Sequence, residues 1–374
     1  MIPHAGLRIC GFLWRSAGKF PQALFGPCIP TAGDMRGFRR KWRSRPCPMD
    51  GISPEICSAS RGSNPLGWQA LRRHGVFLLA LEWKSAHFVW NMKIGVIGAT
   101  GYVGARLCRM AEAAGHGVVR FSRSARVGFR RIEATGGLDL SGLDAVVNLA
   151  GEPILGLWTA SKKEKILRSR VESTRQVVGS LHSGIGVLVN ASAIGFYGDT
   201  GEREVDESAA AGSGFLAEVC KAWEAAALPA EAPGCRVVRL RIGFVTGPGG
   251  AMGLVRPVFQ FGLGGNLGNG RQWMSCIHVD DVAGMILWAI ETSSVSGAVN
   301  AVNPQPVRNA EFTRTLARVV RRPAIVPAPS CALKLALGEL SHVMLDSVRV
   351  RPAAAESLGY AFRYPSLEAG LRAG

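Results

Sequence analysis

The 374-residue sequence predicts an α/β fold, a doubly wound parallel sheet followed by a smaller α/β C-terminal lobe. Three observations predict it. Short apolar runs bounded by glycine, such as Lys93–Ile97 (KIGVI), read as strands buried on both faces. Helical patterns alternate with these runs from Met92 to about residue 242, as βαβ units require. A glycine turn of the form G-x-x-G-x-x-G joins the first run to the first helix.

The elements follow in order. After the first strand, residues 102–114 read as a helix and 117–121 as the second strand. Residues 144–149 (DAVVNL) form a later strand, the fourth, and a long helical stretch covers about 159–181. Residues 187–190 are again strand. Residues 214–228 are a helix whose apolar positions are Phe215, Leu216, Val219, Trp223 and Ala226. Arg236–Ile242 (RVVRLRI) alternates as a strand should. Beyond Gly250 the pattern loosens, with helices near 279–290, 310–320 and 330–340 between Gly/Pro-rich connections. The expected division is a nucleotide-binding domain over 92–250, with sheet elements drawn also from later residues, and a lobe over 251–374 that covers a substrate.

Residues 1–91 differ from the rest. They hold five of the nine Trp, eight of the 20 Pro and no lasting periodicity. The run RGFRRKWRSR at 36–45 is compatible with an organellar targeting segment or a disordered basic tail. An over-long start is the favoured expectation, because Met92 stands directly before a complete first strand.

Composition narrows the partners. The formal net charge is +17, but residues 1–91 carry 13 Lys+Arg against 4 Asp+Glu, and residues 92–374 carry 31 against 23. No basic stripe interleaved with aromatics follows residue 92, so no nucleic-acid partner is expected. The nine cysteines form no C-x-x-C pair or Cys/His cluster, which argues against a metal site or a disulfide framework. Free thiols suit a reducing cytosol, so a cytoplasmic location is expected. No run of 18 apolar residues exists; residues 78–90 come nearest and are interrupted by Glu82, Lys84 and His87. A small-molecule substrate is expected, and oligomeric state is left open.

The chemistry begins at Gly98-Ala99-Thr100-Gly101-Tyr102-Val103-Gly104. Its glycines suit a tight turn, close approach to a pyrophosphate, and close helix–strand packing. The helix start offers free N–H groups and a positive dipole end. Gly98, Thr100, Gly101, Tyr102, Val103 and Gly104 are therefore candidate dinucleotide ligands. Where the second strand ends, an NAD site usually places a carboxylate for the ribose 2′-OH. Ser122 and Arg123 stand there instead, and suit a 2′-phosphate, so NADP(H) is the expected cofactor; the competing reading of Arg123 is a solvated loop arginine. Leu149, Ala150 and Gly151 close the fourth strand with small residues, either to let the cofactor lie against the backbone or simply to pack a turn.

The segments GATGYVG, VNLAGEPI, ASAIGFYG, RLRIGFVTGPGG, GLGGNLGNGRQW, IHVDDVAG and GAVNAVNP occur in that order. Together they resemble the extended short-chain dehydrogenase/reductase superfamily, and within it the atypical epimerase-family branch with its own C-terminal region. The likeness spans about 92–372. It implies a Rossmann sheet, bound NADP(H), a C-terminal lobe closing over the nicotinamide, and a cofactor contact from Arg170. It also implies a catalytic Ser/Thr with a Tyr-x-x-x-Lys pair on one helix. At that spacing the lysine shares the phenol's helix face and lowers its pKa. In the matching helix Lys221 is present, but Ala217 stands where the tyrosine would be.

Ser192 matches the serine segment, and Tyr197 is the nearest tyrosine by motif that could donate a proton; packing in the turn is the competing reading. Lys221 is either a ribose ligand or a surface lysine. Arg271 could pair with an anionic substrate group, and residues 262–270 read as a flexible substrate loop. His278 reads as structural at a helix start, with Asp280 or Asp281 as the cap. The branch usually has Trp where this chain has Cys276, which would alter the pocket. Three functions compete: an NADP(H)-dependent oxidoreductase of unknown small-molecule substrate, a nucleotide-sugar epimerase or dehydratase, and a non-catalytic NADP(H)-binding or sensing protein.

Overall fold

The computed structural model describes residues 91–374 apart from 134–135 and 232–233. The readings made for residues 1–90 lie outside the described residues.

The chain runs β1 (Lys93–Ile97), α1 (Tyr102–Ala113), β2 (Gly117–Ser122), β3 (Phe129–Arg131), β4 (Ala145–Asn148), α2 (Ala160–Gly179) and β5 (Val187–Ala193). A 3-10 turn, Ile194–Tyr197, leads to β6 (Glu204–Val205), α3 (Phe215–Ala227), β7 (Arg236–Ile242) and β8 (Phe244–Thr246). Then come α4 (Met252–Gln260), β9 (Trp273–Met274), β10 (Cys276–His278), α5 (Val279–Glu291), β11 (Gly297–Ala301), β12 (Val307–Arg308) and α6 (Asn309–Val320). The chain closes with α7 (Ser330–Leu337), α8 (His342–Leu345), β13 (Arg349–Val350), α9 (Ala353–Ser357) and α10 (Leu367–Arg372).

Seven strands form one parallel sheet in the order β11-β7-β5-β4-β1-β2-β3. The chain leaves β1 towards β2 and β3, then returns to the other side of β1 as β4. The crevice at the carboxyl ends of β1 and β4 is thus the topological switch point, where ligands of such sheets sit.

Period-2 alternation gives the sheet two apolar faces. Ile94, Val96, Val147, Val189, Val238 and Leu240 point to one face, against Leu107 of α1 and Met285 and Ile286 of α5. Phe121, Val146, Leu188 and Val237 point to the other, against Val177 of α2 and Ala227 of α3. A separate cluster gathers Met252 and Phe259 of α4, Phe312 and Leu316 of α6, and Leu367 and Leu371 of α10.

The structure departs from the sequence reading where apolar signal is weak or pairing is distant. β5 runs on through Ala193, because its register with β7 continues to Ala193↔Ile242. β11 joins the main sheet from beyond residue 250, as the expected division allowed. α4 has Pro257 inside it and no capping side chain, so it lacks the usual helix punctuation. The pattern at 330–340 breaks after Leu337, where Gly338 takes a positive φ of 56°. Residues 262–270 are tied down rather than loose: Gly268 N–H donates to the Ala328 carbonyl at 2.8 Å, and Leu267 N–H to Asn309 Oδ1 at 2.9 Å. No helix among the described residues is long and apolar enough to cross a membrane.

Candidate functional site

The turn after β1 is built on contacts that only glycine permits. Gly98 has φ +85°, and a Cβ on it would lie 2.8 Å from the Leu149 carbonyl carbon. The β1–α1 turn therefore rests directly on the end of β4. A Cβ on Gly104 would lie 2.2 Å from the Gly98 carbonyl oxygen, so α1 packs on the turn backbone itself. Gly101 is the N-cap of α1, and no side chain caps it. Its first N–H groups remain donors for an anion, as a dinucleotide pyrophosphate requires. Thr100 and Gly101 are exposed at the turn, and Val103 is partly buried behind it.

Tyr102 has a different task from its neighbours. Its hydroxyl accepts a hydrogen bond from Gly249 N–H at 3.1 Å, and its ring fills the space beneath Gly249 and Gly250. A Cβ on either glycine would meet that ring at 2.7 Å. The phenol thus joins the turn to the chain entering α4. Arg106, one helical turn on, forms a bidentate pair with Asp280 at 2.5 and 2.7 Å.

The end of β2 lies beside this turn. Phe121 pairs with Ile97, so Ser122 and Arg123 flank Gly98 across the register. Ser122 is partly buried and Arg123 exposed. On the β4 side, Asn148 is buried and donates to Thr174 at 2.9 Å and Asn190 at 2.8 Å. Its Oδ1 accepts from Ala150 N–H at 3.2 Å, which fixes the Leu149-Ala150-Gly151 backbone.

Arg170 of α2 reaches this same backbone. Its guanidinium carbon is 3.1 Å from where a Gly151 Cβ would be, and 5.0 Å from the Trp223 ring centroid. One of its nitrogens donates to the Glu152 and Ile166 carbonyls, each at 3.0 Å. Burial pulls its pKa down, and among the described residues it has no carboxylate partner within ion-pair distance. A glycine cradle, an uncapped helix start and a half-buried cation with no carboxylate in direct contact fit a bound dinucleotide.

The candidate catalytic residues meet a closed network. Ser192, near the end of β5, is 3% exposed and donates to Glu224 Oε1 at 2.7 Å. Glu224 also accepts from Arg241 at 2.8 and 3.0 Å and from Arg239 at 3.2 Å. Arg241 donates in turn to the Tyr197 hydroxyl at 2.8 Å, and that hydroxyl donates to Asn300 Oδ1 at 2.7 Å. Tyr197 is 2% exposed, and burial pushes its pKa up to about 12. The structure joins Ser192 to Tyr197 through Glu224 and Arg241. Lys221 lies apart, half-exposed and paired with Glu218 at 2.5 Å. Ala217 is buried on the inner face of α3.

Glu224, Arg241, Arg239 and Asn300 were not singled out from the sequence. A signal existed: Glu224 falls among Cys220, Trp223 and Ala227 on the apolar face of α3, and Arg241 interrupts a buried strand. A buried charge in each element asks for the other.

Around β10 the roles are redistributed. His278 is itself the N-cap of α5, its Nδ1 accepting from Asp280 N–H at 3.2 Å. Neither aspartate caps the helix. Asp280 holds Arg106, and Asp281 accepts N–H groups of Arg363 at 2.7 Å and Tyr364 at 2.9 Å. Cys276 packs in the α4–α6 core, and burial raises its thiol pKa to about 12. The Arg271 carbonyl accepts from Arg308, which also pairs with Glu202.

The chain resembles known proteins over the same region. Residues 94–303 match the NAD dependent epimerase/dehydratase family, and 328–373 match a domain of unknown function, DUF1731. The epimerase family protein Mb2239 of Mycobacterium bovis is 38% identical over 291 residues, covering 75% of this chain and 97% of the relative. A chloroplastic homologue of epimerase family protein SDR39U1 from Arabidopsis thaliana is 38% identical over 301 residues, covering 76% and 86%. The crystal structure of human SDR39U1 (isoform 2) with NADPH superposes with a TM-score of 0.71 at 33% identity, covering 75% and 98%. The glycine turn on the end of β4, the switch point and the seven-stranded parallel sheet lie within the matched span, and this chain belongs to the NAD dependent epimerase/dehydratase family.

Proposed function

We propose that this chain binds NADP(H) at the carboxyl ends of β1 and β4 and acts as an NADP(H)-binding protein in which the usual phenol–lysine proton relay is absent. The observation that carries the cofactor choice is the end of β2. Ser122 and Arg123 stand beside Gly98, where an NAD site would present a carboxylate. The human relative's structure contains NADPH, which agrees with this choice. Gly98, Thr100, Gly101, Val103 and Gly104 would hold the pyrophosphate by backbone, Tyr102 mainly through its place on α1. Leu149, Ala150 and Gly151 would bound the cofactor on the β4 side, with Arg170 supplying positive charge.

A second reading, oxidoreductase chemistry on a small molecule, draws on Ser192 at the carboxyl end of β5. Bound NADP(H) would supply or accept the hydride, Tyr197 would be the proton donor, and Lys221 would hold the cofactor ribose. The geometry favours binding over this reading. The Tyr197 hydroxyl is engaged as both donor and acceptor, its pKa is high, and Lys221 is paired at the surface. Nucleotide-sugar epimerisation is disfavoured on the same ground, since position 217 is alanine. Titration of cofactor fluorescence tests the first reading. NADPH should bind at least tenfold more tightly than NADH, a difference of about 1.4 kcal/mol. Equal affinities would remove the basis for NADP(H). Steady turnover of NADPH against a carbonyl panel would restore the second reading.

A further inference from the structure

α4 is apolar on both of its faces. Met252, Val255 and Phe259 turn inward to the cluster shared with α6 and α10. Leu254, Pro257 and Val258 are exposed on the outside, and Phe261, just past the helix end, is 80% exposed. Positions 254, 258 and 261 follow helical spacings of four and three, so they form one outward stripe. A surface helix ordinarily turns polar residues to solvent, and one that is apolar all round is ordinarily covered.

The stripe does not end with the helix. Leu263, also exposed, donates its N–H to the Val258 carbonyl at 3.0 Å. The residues after it pair with the segment before α7: Val326 N–H donates to the Gly264 carbonyl at 3.0 Å, and Ala328 N–H to the Asn266 carbonyl at 2.9 Å. That register sets Ile325, 76% exposed, beside Leu263. The chain then enters α7, which has no buried residue and leaves Leu335 91% exposed. Of the fourteen large apolar side chains exposed among the described residues, seven lie in the two short stretches 254–263 and 325–335. Single exposed apolar side chains are ordinary, whereas a contiguous group marks an interaction surface.

The charge around this surface has one sign. Residues 249–271 contain Arg256 and Arg271 and no Asp or Glu. Residues 312–338 contain Arg314, Arg318, Arg321, Arg322 and Lys334, again with no Asp or Glu. Arg322 lies against the end of α4, its Nε donating to the Gln260 carbonyl at 3.2 Å, next to Phe261. Arg321 and Arg322 are exposed, and among the described residues neither meets a carboxylate within ion-pair distance. A second copy docked here about a two-fold axis would set cations against cations. An anionic lipid surface offers both complements, acyl chains and negative headgroups.

We propose that the outer face of α4, the loop at 261–266 and residues 321–326 dock on an anionic membrane surface. Phe261, Leu263 and Ile325 enter the acyl boundary, and Arg321 and Arg322 meet the headgroups. Docking of this kind lies in the plane of the interface and needs no spanning helix. The face uses no residue of the dinucleotide turn, the end of β4 or the Ser192–Tyr197 network.

Flotation of the full chain with phosphatidylcholine vesicles, with and without phosphatidylglycerol, tests the proposal. The anionic vesicles should bind at least tenfold more tightly, and added salt should weaken that binding by screening the headgroups. Phe261→Ser combined with Ile325→Ser should weaken it at least tenfold again, with NADPH affinity and thermal unfolding unchanged. Arg321→Asn, which suits the positive φ of 56° at that position, should reduce the preference for anionic vesicles. Absence of vesicle binding, equal binding to both vesicles, or binding that survives the serine pair would each overturn the proposal; the last would place the contact elsewhere on the chain. A dimer in solution that the serine pair dissociates would also overturn it, because the face would then belong to a second copy.

Discussion

Two stretches of one sheet edge handle polar groups in opposite ways. At β1 and β4 the backbone donors at the start of α1 are left uncapped, and Arg170 has no carboxylate within ion-pair distance among the described residues. At β5 and β7 the polar groups satisfy one another: Ser192, Glu224, Arg241, Tyr197 and Asn300 form an unbroken chain of hydrogen bonds. The first arrangement leaves donors open to a ligand, whereas in the second the hydroxyls and the carboxylate are partnered within the protein, with Arg239 Nε left unpaired among the described residues. The difference teaches that residues matching a catalytic motif in order need not be available for chemistry. A buried hydroxyl with both roles filled has no proton to lend without breaking the network.

The sharpest way to break this comparison is to open the closed half. Glu224→Ala would leave Arg241, 3% exposed, without its carboxylate. We expect a loss of about 3–5 kcal/mol in urea unfolding, the cost of an uncompensated buried charge. A loss below about 1 kcal/mol would mean that water already reaches the network. In the open half, Gly104→Ala places a Cβ against the Gly98 carbonyl, where backbone must shift. The expected outcome is a loss of about 1–3 kcal/mol in thermal unfolding, with NADPH affinity reduced at least tenfold.

Tyr197→Phe separates a structural phenol from a catalytic one. The structural role predicts a loss of about 1–3 kcal/mol from unpaired Asn300 and Arg241, with NADPH affinity unchanged. General acid catalysis by the phenol would instead lower kcat about 10²–10⁴-fold on a confirmed substrate. pH adds a second signature. The folded pKa of about 12 lies above the ordinary phenol value of about 10, so the folded state holds this proton more tightly. The stability it contributes is fully present below pH 10 and is lost as pH rises towards 12. Tyr197→Phe should remove that part of the alkaline slope, and an unchanged slope would show that the phenol is solvated.

Smaller effects sharpen the open half. Arg123→Ala should erase most of the preference for NADPH over NADH, about 1.4 kcal/mol, as read by fluorescence titration. Last, a chain begun at Met92 should bind NADPH as the full chain does; a tenfold weaker affinity would assign residues 1–91 a part in the site.

The legible part of this protein was local. The G-x-x-G-x-x-G turn could be read because the tasks of Gly98 and Gly104 are set by neighbours a few residues away. β1, β4 and α3 could be read because their apolar periods belong to the elements themselves. Gly151 was read as a small residue that lets the cofactor lie against the backbone or packs a turn, and the structure adds that it makes room for the Arg170 guanidinium. α4 was missed, having an internal proline and no capping side chain.

By itself the sequence determined the fold class, the dinucleotide turn and the absence of a carboxylate after β2, all properties of short stretches of chain. Tertiary structure alone decided what the other polar residues do. Tyr197 meets Asn300 across 103 positions, and Arg106 meets Asp280 across 174. His278, not an aspartate, caps α5, because Asp280 and Asp281 are drawn to Arg106 and to the backbone at 363–364. Partners so far apart carry no periodicity or spacing that a linear reading could detect. They are selected in the folded chain, where a buried charge or hydroxyl must find its complement or remain unsatisfied at a cost of about 1–3 kcal/mol or more.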